Sequence, residues 1–114
     1  MTTINWMLLT KEAQLETIDE ISHSTPCLIF KHSTRCSISS VAKDRLERHW
    51  KFSEDVLPAY YLDLISYRNI SNTIENRYGI RHESPQVLLI KDGRCVYSSS
   101  HFEIGVDELQ LQLS

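Results

Sequence analysis

The chain has 114 residues and a formal net charge of −3, with 41% hydrophobic and 24% charged residues. This length and composition are typical of one small soluble domain, so we expect a single domain over residues 1–114. The negative charge argues against a general nucleic-acid binder, which normally carries a surplus of basic residues. No apolar run approaches the ~20 residues of a membrane span, and Met1–Trp6 lacks the basic and apolar regions of a secretory signal.

The chain contains three cysteines, Cys27, Cys36 and Cys95. An odd and sparse set of this kind favours a reducing compartment, the cytoplasm, over a scaffold held together by disulfides. The cysteine and histidine residues show neither Cys-x-x-Cys nor His-x-x-x-His spacing, which metal sites commonly use. We therefore expect neither a metal site nor another cofactor.

The first two predicted elements are a helix over Leu9–Ser22 and a strand over Cys27–Lys31. The helix is indicated by apolar residues at approximately helical spacing, namely Leu8, Leu15, Ile18 and Ile21. The strand is a continuous apolar run, which is typical of a strand that is buried on both faces.

The next two predicted elements are a helix over Ile38–Trp50 and a strand over Val56–Leu64. The predicted inward stripe of this helix consists of Ile38, Val41, Ala42, Leu46 and His49. Pro58 lies near the start of the strand and lacks a backbone N–H, which favours a position at the edge of the sheet.

The second half of the chain has a different pattern. A helix over Ile70–Tyr78 is predicted to end at Gly79, a residue that readily adopts the left-handed conformation of helix ends. The remaining predicted elements are a strand over Gln86–Ile90, a turn over Lys91–Arg94 with an Asp-Gly centre, a strand over Cys95–Ser99 and a helix over Val106–Leu113.

The order of these elements predicts the fold class. Alternating helices and strands imply parallel strands joined by crossover helices, and the hairpin adds an antiparallel pair. We therefore predict an α/β, thioredoxin-like fold with a four-stranded mixed sheet flanked by helices. In this layout Cys36 lies at the carboxyl end of the first predicted strand, where open α/β sheets usually bind ligands.

Cys36 is the last residue of the predicted loop His32–Cys36, just before the start of a predicted helix. The free N–H groups and the positive dipole end of a helix stabilise a thiolate, which is the nucleophile in disulfide chemistry. We therefore interpret Cys36 as a reactive thiol. A buried cysteine that merely packs at a helix start is the structural alternative.

Ser39 stands three residues after Cys36, where a dithiol redox protein carries its second cysteine. A serine can donate a hydrogen bond to the thiolate but cannot form an internal disulfide. A mixed disulfide on Cys36 would then wait for an external thiol. The alternative is that Ser39 is one of several polar residues in a first helical turn, where serine is favoured anyway.

Ser84 and Pro85 precede the first strand of the hairpin. In a thioredoxin-like fold this proline is expected to be cis and to face the active cysteine, although cis is a minority state of X–Pro bonds in general. The backbone of Ser84 would then pair with an extended segment of the substrate. A trans proline that simply starts the strand is the alternative.

Several basic residues lie near these motifs. Lys31, His32 and Arg35 form a locally positive group in a negatively charged chain, which would attract an anionic thiol. Arg81 and His82 precede Pro85 and could reach the same cleft, although single basic residues in loops are usually just solvated.

Cys27 and Cys95 are interpreted as structural thiols. Cys27 begins the first predicted strand, whereas Cys36 lies beyond its other end, and the strand rises by ~3.3 Å per residue. A disulfide needs Cα atoms within ~7 Å, so we do not expect one between Cys27 and Cys36.

Taken together, the motifs resemble a known family. The stretches Lys31–Ser39 and His82–Gln86, with the Asp-Gly hairpin, are similar to monothiol bacilliredoxins, which are also called YtxJ-like proteins. The resemblance implies a thioredoxin-like fold and removal of the small thiol bacillithiol from protein mixed disulfides. Here Ser37 replaces the proline that typically follows the family cysteine, so the first helical turn gains an N–H.

The resemblance also implies roles and partners. Cys36 would be the attacking thiol, Ser39 would occupy the resolving position and Pro85 would be the cis proline. The partners would be a bacillithiol-like small thiol and S-thiolated client proteins. Carboxylates of the small thiol would meet binding groups at Lys31, His32, Arg35 and Arg81, and Ser84 would pair with the client.

Two other functions remain as alternatives. The first is a monothiol module that holds an iron–sulfur cluster with an external thiol, although the Cys-Gly-Phe-Ser loop of such proteins is absent. The second is a thioredoxin-like interaction domain without catalytic activity. An unreactive Cys36 would favour the second, and a coloured protein would favour the first.

Overall fold

The computed structural model describes residues 3–113, so Met1, Thr2 and Ser114 of the predicted domain lie outside the described residues. In chain order the elements are β1 (Met7–Leu8), α1 (Ala13–Ser22), β2 (Cys27–His32), α2 (Ser37–His49), β3 (Ala59–Asp63), α3 (Arg68–Tyr78), β4 (Gln86–Lys91), β5 (Arg94–Ser100), a 3-10 turn (His101–Glu103) and α4 (Val106–Leu113).

The strands of the described residues form one five-stranded sheet in the order β1-β3-β2-β4-β5. β2 is parallel to β3 and antiparallel to β4, so the sheet is mixed, as predicted. The prediction of four strands is wrong by one, because the two-residue strand β1 pairs in parallel with β3. A strand this short has too few residues to show the alternation by which strands are recognised in a sequence.

The first helix begins four residues later than predicted, at Ala13 instead of Leu9. Met7–Leu8 forms β1 instead, and Leu9 N–H donates to the carbonyl of Tyr61 at 2.8 Å. The Gln14 side chain reaches back over this start: its Oε1 accepts the Thr10 N–H at 2.8 Å, and its Nε2 donates to Leu8 O at 3.0 Å. These residues therefore pair with β3 and do not join the helix, although the apolar spacing of the segment is helical.

The predicted edge position of the strand after Pro58 is wrong. β3 lies between β1 and β2 in the sheet. Pro58 precedes this strand, and its carbonyl accepts the Leu28 N–H at 2.9 Å. Proline has no N–H to donate, but Pro58 lies before the first residue of β3, so the strand loses no hydrogen bond of the ladder. An interior strand can therefore follow this proline.

Alternate residues of β2 face two separate cores. Leu28 and Phe30 pack against α2 and α4 in one core. Cys27 and Ile29 pack against α1 and α3 in the other. Since successive side chains of a strand point to opposite faces, the last two residues of β2, Lys31 and His32, are directed to opposite sides of the sheet. This alternation decides the surroundings of the site described below.

The inward stripe of α2 differs from the prediction. Ala42 and Leu46 are buried as predicted, but Ile38, Val41 and His49 are exposed. The third buried position of the helix is the polar Ser39. A sequence pattern based on apolar residues misses this position, because a serine is buried only where its hydroxyl finds partners.

Both predicted turns are confirmed. Gly79 ends α3 with φ +67°, the left-handed conformation that favours glycine. Asp92 and Gly93 form the turn between β4 and β5, with φ values of 53° and 72°. Positive φ at both central residues is typical of the tight turn that matches the twist of a hairpin.

Candidate active site at the end of the central strand

Cys36 is the residue that caps the N-terminus of α2. Its backbone is extended, with φ −109° and ψ 121°, and its side chain is half-buried. Cys36 N–H donates to Ser33 O at 3.2 Å, and Cys36 O accepts the Ser40 N–H at 3.1 Å. The predicted position of the thiol is therefore confirmed: it lies beyond the carboxyl end of β2, at the start of a helix. Free helical N–H groups at such a position favour negative charge.

Ser39 is fully buried, with 0% of its surface exposed. Its Oγ accepts the Ser33 N–H at 3.0 Å and lies 2.7 Å from His32 Nδ1. These contacts join the end of β2, the loop before Cys36 and the first turn of α2. The hydroxyl therefore has partners other than the Cys36 sulfur, which the sequence did not reveal.

His32 was predicted to lie in a polar loop and to bind substrate. The strand instead extends to His32, and the residue is only 4% exposed. Its ring lies 5.7 Å from the Phe30 ring and 5.5 Å from the Tyr61 ring, measured between centroids. Burial, followed by the nearby Lys43 cation, lowers the pKa of His32, which favours the uncharged form of the ring.

Lys31 was also predicted to bind substrate, but its side chain is fully buried on the other face of the sheet. Its Nζ lies 3.3 Å from His82 Nδ1 and donates to Ser71 O at 3.4 Å. Burial lowers the pKa of Lys31 to about 8, and the Glu75 carboxylate opposes this effect. In this position the amine is directed at the protein interior and not at a ligand in solution.

His82 connects Lys31 to the segment that precedes Pro85. Its backbone N–H donates to Glu75 Oε2 at 2.6 Å, and its Nδ1 lies 3.2 Å from Ser71 Oγ. Burial and the neighbouring Lys31 cation lower the pKa of His82. The neutral ring can therefore accept a hydrogen bond from the Lys31 ammonium group.

The peptide bond between Ser84 and Pro85 is cis, which confirms that part of the prediction. Lys31 pairs with Gln86 in the antiparallel ladder of β2 and β4, so Pro85 lies beside the carboxyl end of β2. Pro85 and Cys36 are therefore at the same end of the sheet.

The Oγ of Ser84 is buried without a hydrogen-bond partner in the part of the chain that the structure describes, and no backbone–backbone hydrogen bond there involves Ser84. Glu83, the preceding residue, accepts a hydrogen bond from Ser100 Oγ, and the carbonyl of Pro85, the following residue, accepts the His101 N–H at 3.1 Å. The segment before Pro85 is thus held on both sides of Ser84, whereas the backbone of Ser84 is available to a partner.

The two arginines of the predicted site are exposed. Arg35 lies in the loop directly before Cys36, and Arg81 lies in the segment before Pro85. The Arg81 carbonyl accepts a hydrogen bond from Gln86 Nε2 at 3.0 Å, which fixes its backbone and leaves the guanidinium in solvent. Of the predicted cationic binding groups, these two face solution.

The other cysteines lie at the opposite end of the sheet. Cys27 pairs with Ile90, which also pairs with Cys95, so both thiols are near the β4–β5 turn. All three cysteines are free, and burial raises the pKa of Cys27 to about 11. Cys36 therefore has no second thiol at its own end of the sheet within residues 3–113.

Sequence reasoning did not find Ser71 and Glu75, the two residues of α3 that contact His82. Neither lies near the cysteine or proline motif in the sequence, and each is an ordinary polar residue of an amphipathic helix. Within residues 3–113 no helix is long and apolar enough to cross a bilayer, and no group of three metal-binding side chains is assembled.

Known structures share this architecture. A solved structure described as an oxidoreductase with a thioredoxin fold is 28% identical to the chain with a TM-score of 0.82, and the match covers 96% of this chain and 94% of that one. A thioredoxin from Malassezia sympodialis is 15% identical with a TM-score of 0.71, covering 98% and 90%. Thioredoxin f from spinach chloroplast is 15% identical with a TM-score of 0.69, covering 97% and 92%.

These likenesses confirm the predicted thioredoxin-like fold. The family described as monothiol bacilliredoxin BrxC matches residues 7–109, which include Cys36, Ser39 and Pro85. The family and the similar oxidoreductase together support a thiol redox function. Because the match spans most of the sequence, the chain belongs to the monothiol bacilliredoxin family.

Proposed function

We propose that this protein is a cytoplasmic thiol–disulfide oxidoreductase that removes bacillithiol from protein mixed disulfides by means of Cys36. The observation that carries the proposal is the position of Cys36: a half-buried thiol that caps a helix at the same end of the sheet as the cis Pro85, with no second thiol at that end within residues 3–113. A thiol in this position can attack a disulfide but cannot resolve the product internally.

The proposed reaction has two exchanges. The Cys36 thiolate attacks the bacillithiol sulfur of the client mixed disulfide, and the client cysteine leaves with the bonding electrons and takes a proton from solvent. A second bacillithiol thiolate then attacks the bacillithiol sulfur held on Cys36. This step forms the disulfide of two small thiols and restores the Cys36 thiolate, so sulfur oxidation states balance.

The arrangement of the site suggests how both halves of the substrate bind. Bacillithiol carries carboxylates, and two exposed arginines are available to bind them: Arg35 in the loop before Cys36 and Arg81 in the segment before Pro85. No backbone–backbone hydrogen bond involves Ser84 within residues 3–113, so its N–H and C=O can pair with an extended client segment. Lys31 and His32 are buried and are therefore left out of the proposed contacts with the substrate.

Intact-mass spectrometry tests this proposal. Reduced protein would be mixed with a bacillithiolated client and, in parallel, with a glutathionylated client. We expect a bacillithiol-sized adduct on Cys36 that is absent in Cys36→Ala, present in the matched control Cys95→Ala and much slower to form from the glutathione client.

The other outcomes contradict the proposal in different ways. Equal transfer from both clients would retain the thiol exchange but overturn the assignment of bacillithiol. The absence of an adduct from either client would overturn the enzymatic function, and the chain would then be a binding module on a thioredoxin-like fold.

A further inference from the structure

The two ring nitrogens of His82 have different surroundings. Its Nδ1 lies 3.3 Å from Lys31 Nζ and 3.2 Å from Ser71 Oγ, and both of these residues are buried. His82 itself is half-buried. Within residues 3–113 every hydrogen bond of the ring involves Nδ1, so Nε2 has no partner there. Nε2 is therefore the part of this ring that a ligand can use.

The contact with Lys31 decides which nitrogen of His82 carries the proton. At pH 7, below the Lys31 pKa of about 8, the amine is an ammonium group, which has three donors and no lone pair. Nδ1 of the ring is therefore the acceptor. Burial, followed by the Lys31 cation, lowers the pKa of His82, which favours the uncharged ring with a single proton. Since the hydrogen bond at one imidazole nitrogen fixes the state of the other, this proton lies on Nε2.

The ring of His82 lies at the same end of the sheet as the reacting thiol. Lys31 is the next-to-last residue of β2 and pairs with Gln86, the residue after Pro85. Since His82 contacts Lys31, its ring is at the carboxyl end of β2, beyond which Cys36 caps α2. A group that recognises the part of a small thiol away from its sulfur needs to lie at this end of the sheet, but it does not need to contact the protein thiol.

Arg68 places a cation near this ring. It is the first residue of α3, it is exposed, and it forms no ion pair within residues 3–113. Its positive charge adds to burial and to Lys31 in lowering the pKa of His82, so it lies close to the ring. The acidic neighbours of His82 already have partners: Glu75 accepts the His82 N–H at 2.6 Å, and Glu83 accepts the hydroxyl of a serine in β5. The Arg68 guanidinium and the His82 Nε2–H have none among the described residues.

We propose that His82 and Arg68 bind a carboxylate of the small thiol, with the Nε2–H of His82 as the donor and Arg68 as the counter-charge. An ionised carboxylate only accepts hydrogen bonds, so an N–H donor near an exposed guanidinium is complementary to it. Lys31 is a positioning residue, because it holds Nδ1 and leaves the proton on Nε2. The inference rests on the proposed function in taking a thiol with carboxylates as the substrate, and it adds the α3 side of the site to Arg35 and Arg81.

Nitrogen NMR of the full-length 15N-labelled protein at pH 7 tests the position of the proton without any substrate. The signals of His82 are identified by their loss in His82→Gln. We expect a bare Nδ1 and a protonated Nε2. A proton on Nδ1 would overturn the proposal, because Lys31 would then not hold that nitrogen as an acceptor.

The rate at which small disulfides react with Cys36 tests the contact with the carboxylate. Reduced protein would be mixed with the disulfide of bacillithiol and, separately, with the disulfide of 2-mercaptoethanol, which has no carboxylate. In each reaction the Cys36 thiolate attacks one sulfur, a mixed disulfide forms, and the other small thiol leaves as a thiolate. Intact-mass spectrometry follows both reactions. The ratio of the two rate constants separates recognition of the carboxylates from the reactivity of Cys36.

We expect the ratio to fall about fivefold in His82→Phe, which removes one hydrogen bond to the carboxylate. His82→Gln, whose amide nitrogen can occupy the place of Nε2, should recover most of the ratio. Arg68→Gln should lower it about threefold, and added salt should reduce that difference. The ratio should not change in the matched controls His23→Phe and Arg94→Gln, because these exposed residues lie near the turn between β4 and β5, at the opposite end of the sheet.

An unchanged ratio in His82→Phe would overturn the proposal, whether both reactions slow equally or neither slows. Equal slowing would show that His82 supports the fold of the site and does not bind the carboxylate. Neither measurement uses a client protein. Failure of the proposed function, seen as no transfer from a bacillithiolated client, is therefore distinguishable from failure of this inference.

Discussion

Lys31 and His32 are neighbours on β2, but they stabilise the two walls of the site by different interactions. The two walls are the loop before Cys36 and the segment before Pro85. His32 meets a serine hydroxyl on the face of α2 and holds the loop before Cys36 with uncharged hydrogen bonds. Lys31 meets His82 on the face of α3 and holds the segment before Pro85 with a buried charge near Glu75.

The comparison teaches that the two walls respond to different changes. The effect of a buried charge on stability depends on its counter-charge and on pH. The effect of a neutral hydrogen bond depends on the geometry and on the proton positions of its two groups. We therefore expect substitutions on the Lys31 side to alter stability most and in a way that depends on pH, and substitutions on the His32 side to cause smaller losses of stability that are coupled between the two partners. The following predictions test this division, beginning with the largest expected effect.

Glu75→Ala should be the most destabilising of these substitutions, by about 2 kcal/mol at pH 7, because it removes the counter-charge of a buried ammonium group. It also removes the acceptor of the His82 N–H. Glu75→Gln keeps that acceptor but not the charge, so it separates the two effects. Urea denaturation measures the change, with the exposed Glu20→Ala as control. Equal stability of Glu75→Ala and wild type would refute the role of the charge.

Lys31→Met should stabilise the protein by about 1 kcal/mol at pH 7, because an unbranched apolar side chain replaces a buried cation. Ser71 Oγ, 3.2 Å from His82 Nδ1, remains as a donor to that ring.

The gain from Lys31→Met should depend on pH. Burial lowers the pKa of Lys31 to about 8 in the folded protein, whereas the lysine of the unfolded chain has the ordinary pKa of 10.5. Between these values the unfolded chain holds more protons, so the stability of the wild type rises with pH. The advantage of Lys31→Met should therefore shrink across this window. Denaturation midpoints at several pH values measure it, and a constant advantage would contradict the assignment.

His32→Phe and Ser39→Ala form a double-mutant cycle on the other wall. Each single substitution leaves a buried polar partner, so each should cost about 1 kcal/mol of stability. The double variant replaces both partners by apolar groups and should cost less than the sum, with a coupling of about 1 kcal/mol. Strictly additive effects would show that the 2.7 Å contact contributes no stability.

Ser84→Ala should have the smallest effect. The Ser84 hydroxyl is buried without a partner among the described residues, so its removal should change stability by about 0.5 kcal/mol or less, toward greater stability. Ser99→Ala is a matched control, because its hydroxyl is also buried without a partner there. A loss above about 1 kcal/mol in Ser84→Ala alone would indicate a contact that the structure does not contain.

The comparison of the two walls also shows where sequence reasoning works. Cys36 at the start of a helix and the cis bond before Pro85 were both predictable, because each depends on a local motif placed within a recognisable order of elements. Gly79 and the Asp92-Gly93 turn were predictable for the same reason, since a positive φ selects these residues directly.

The surroundings of these motifs were not predictable in the same way. Lys31 and His32 look like loop cations in the sequence, but pairing with β3 and β4 extends the strand and buries them. Ile38 and Val41 look like core residues, but α2 turns Ser39 inward to meet His32. Both errors arise because burial of a polar group depends on partners that are distant in sequence.

The sequence by itself determined the order of the elements apart from β1, the thiol at the helix start and the family to which the chain belongs. Apolar periodicity and turn residues are local properties, and they were sufficient for those conclusions. Only the tertiary structure decided that Lys31 pairs with His82 and His32 with Ser39. The physical reason is that strand alternation sends two adjacent side chains into different cores, where partners from separate segments decide which groups remain charged and which groups share a proton.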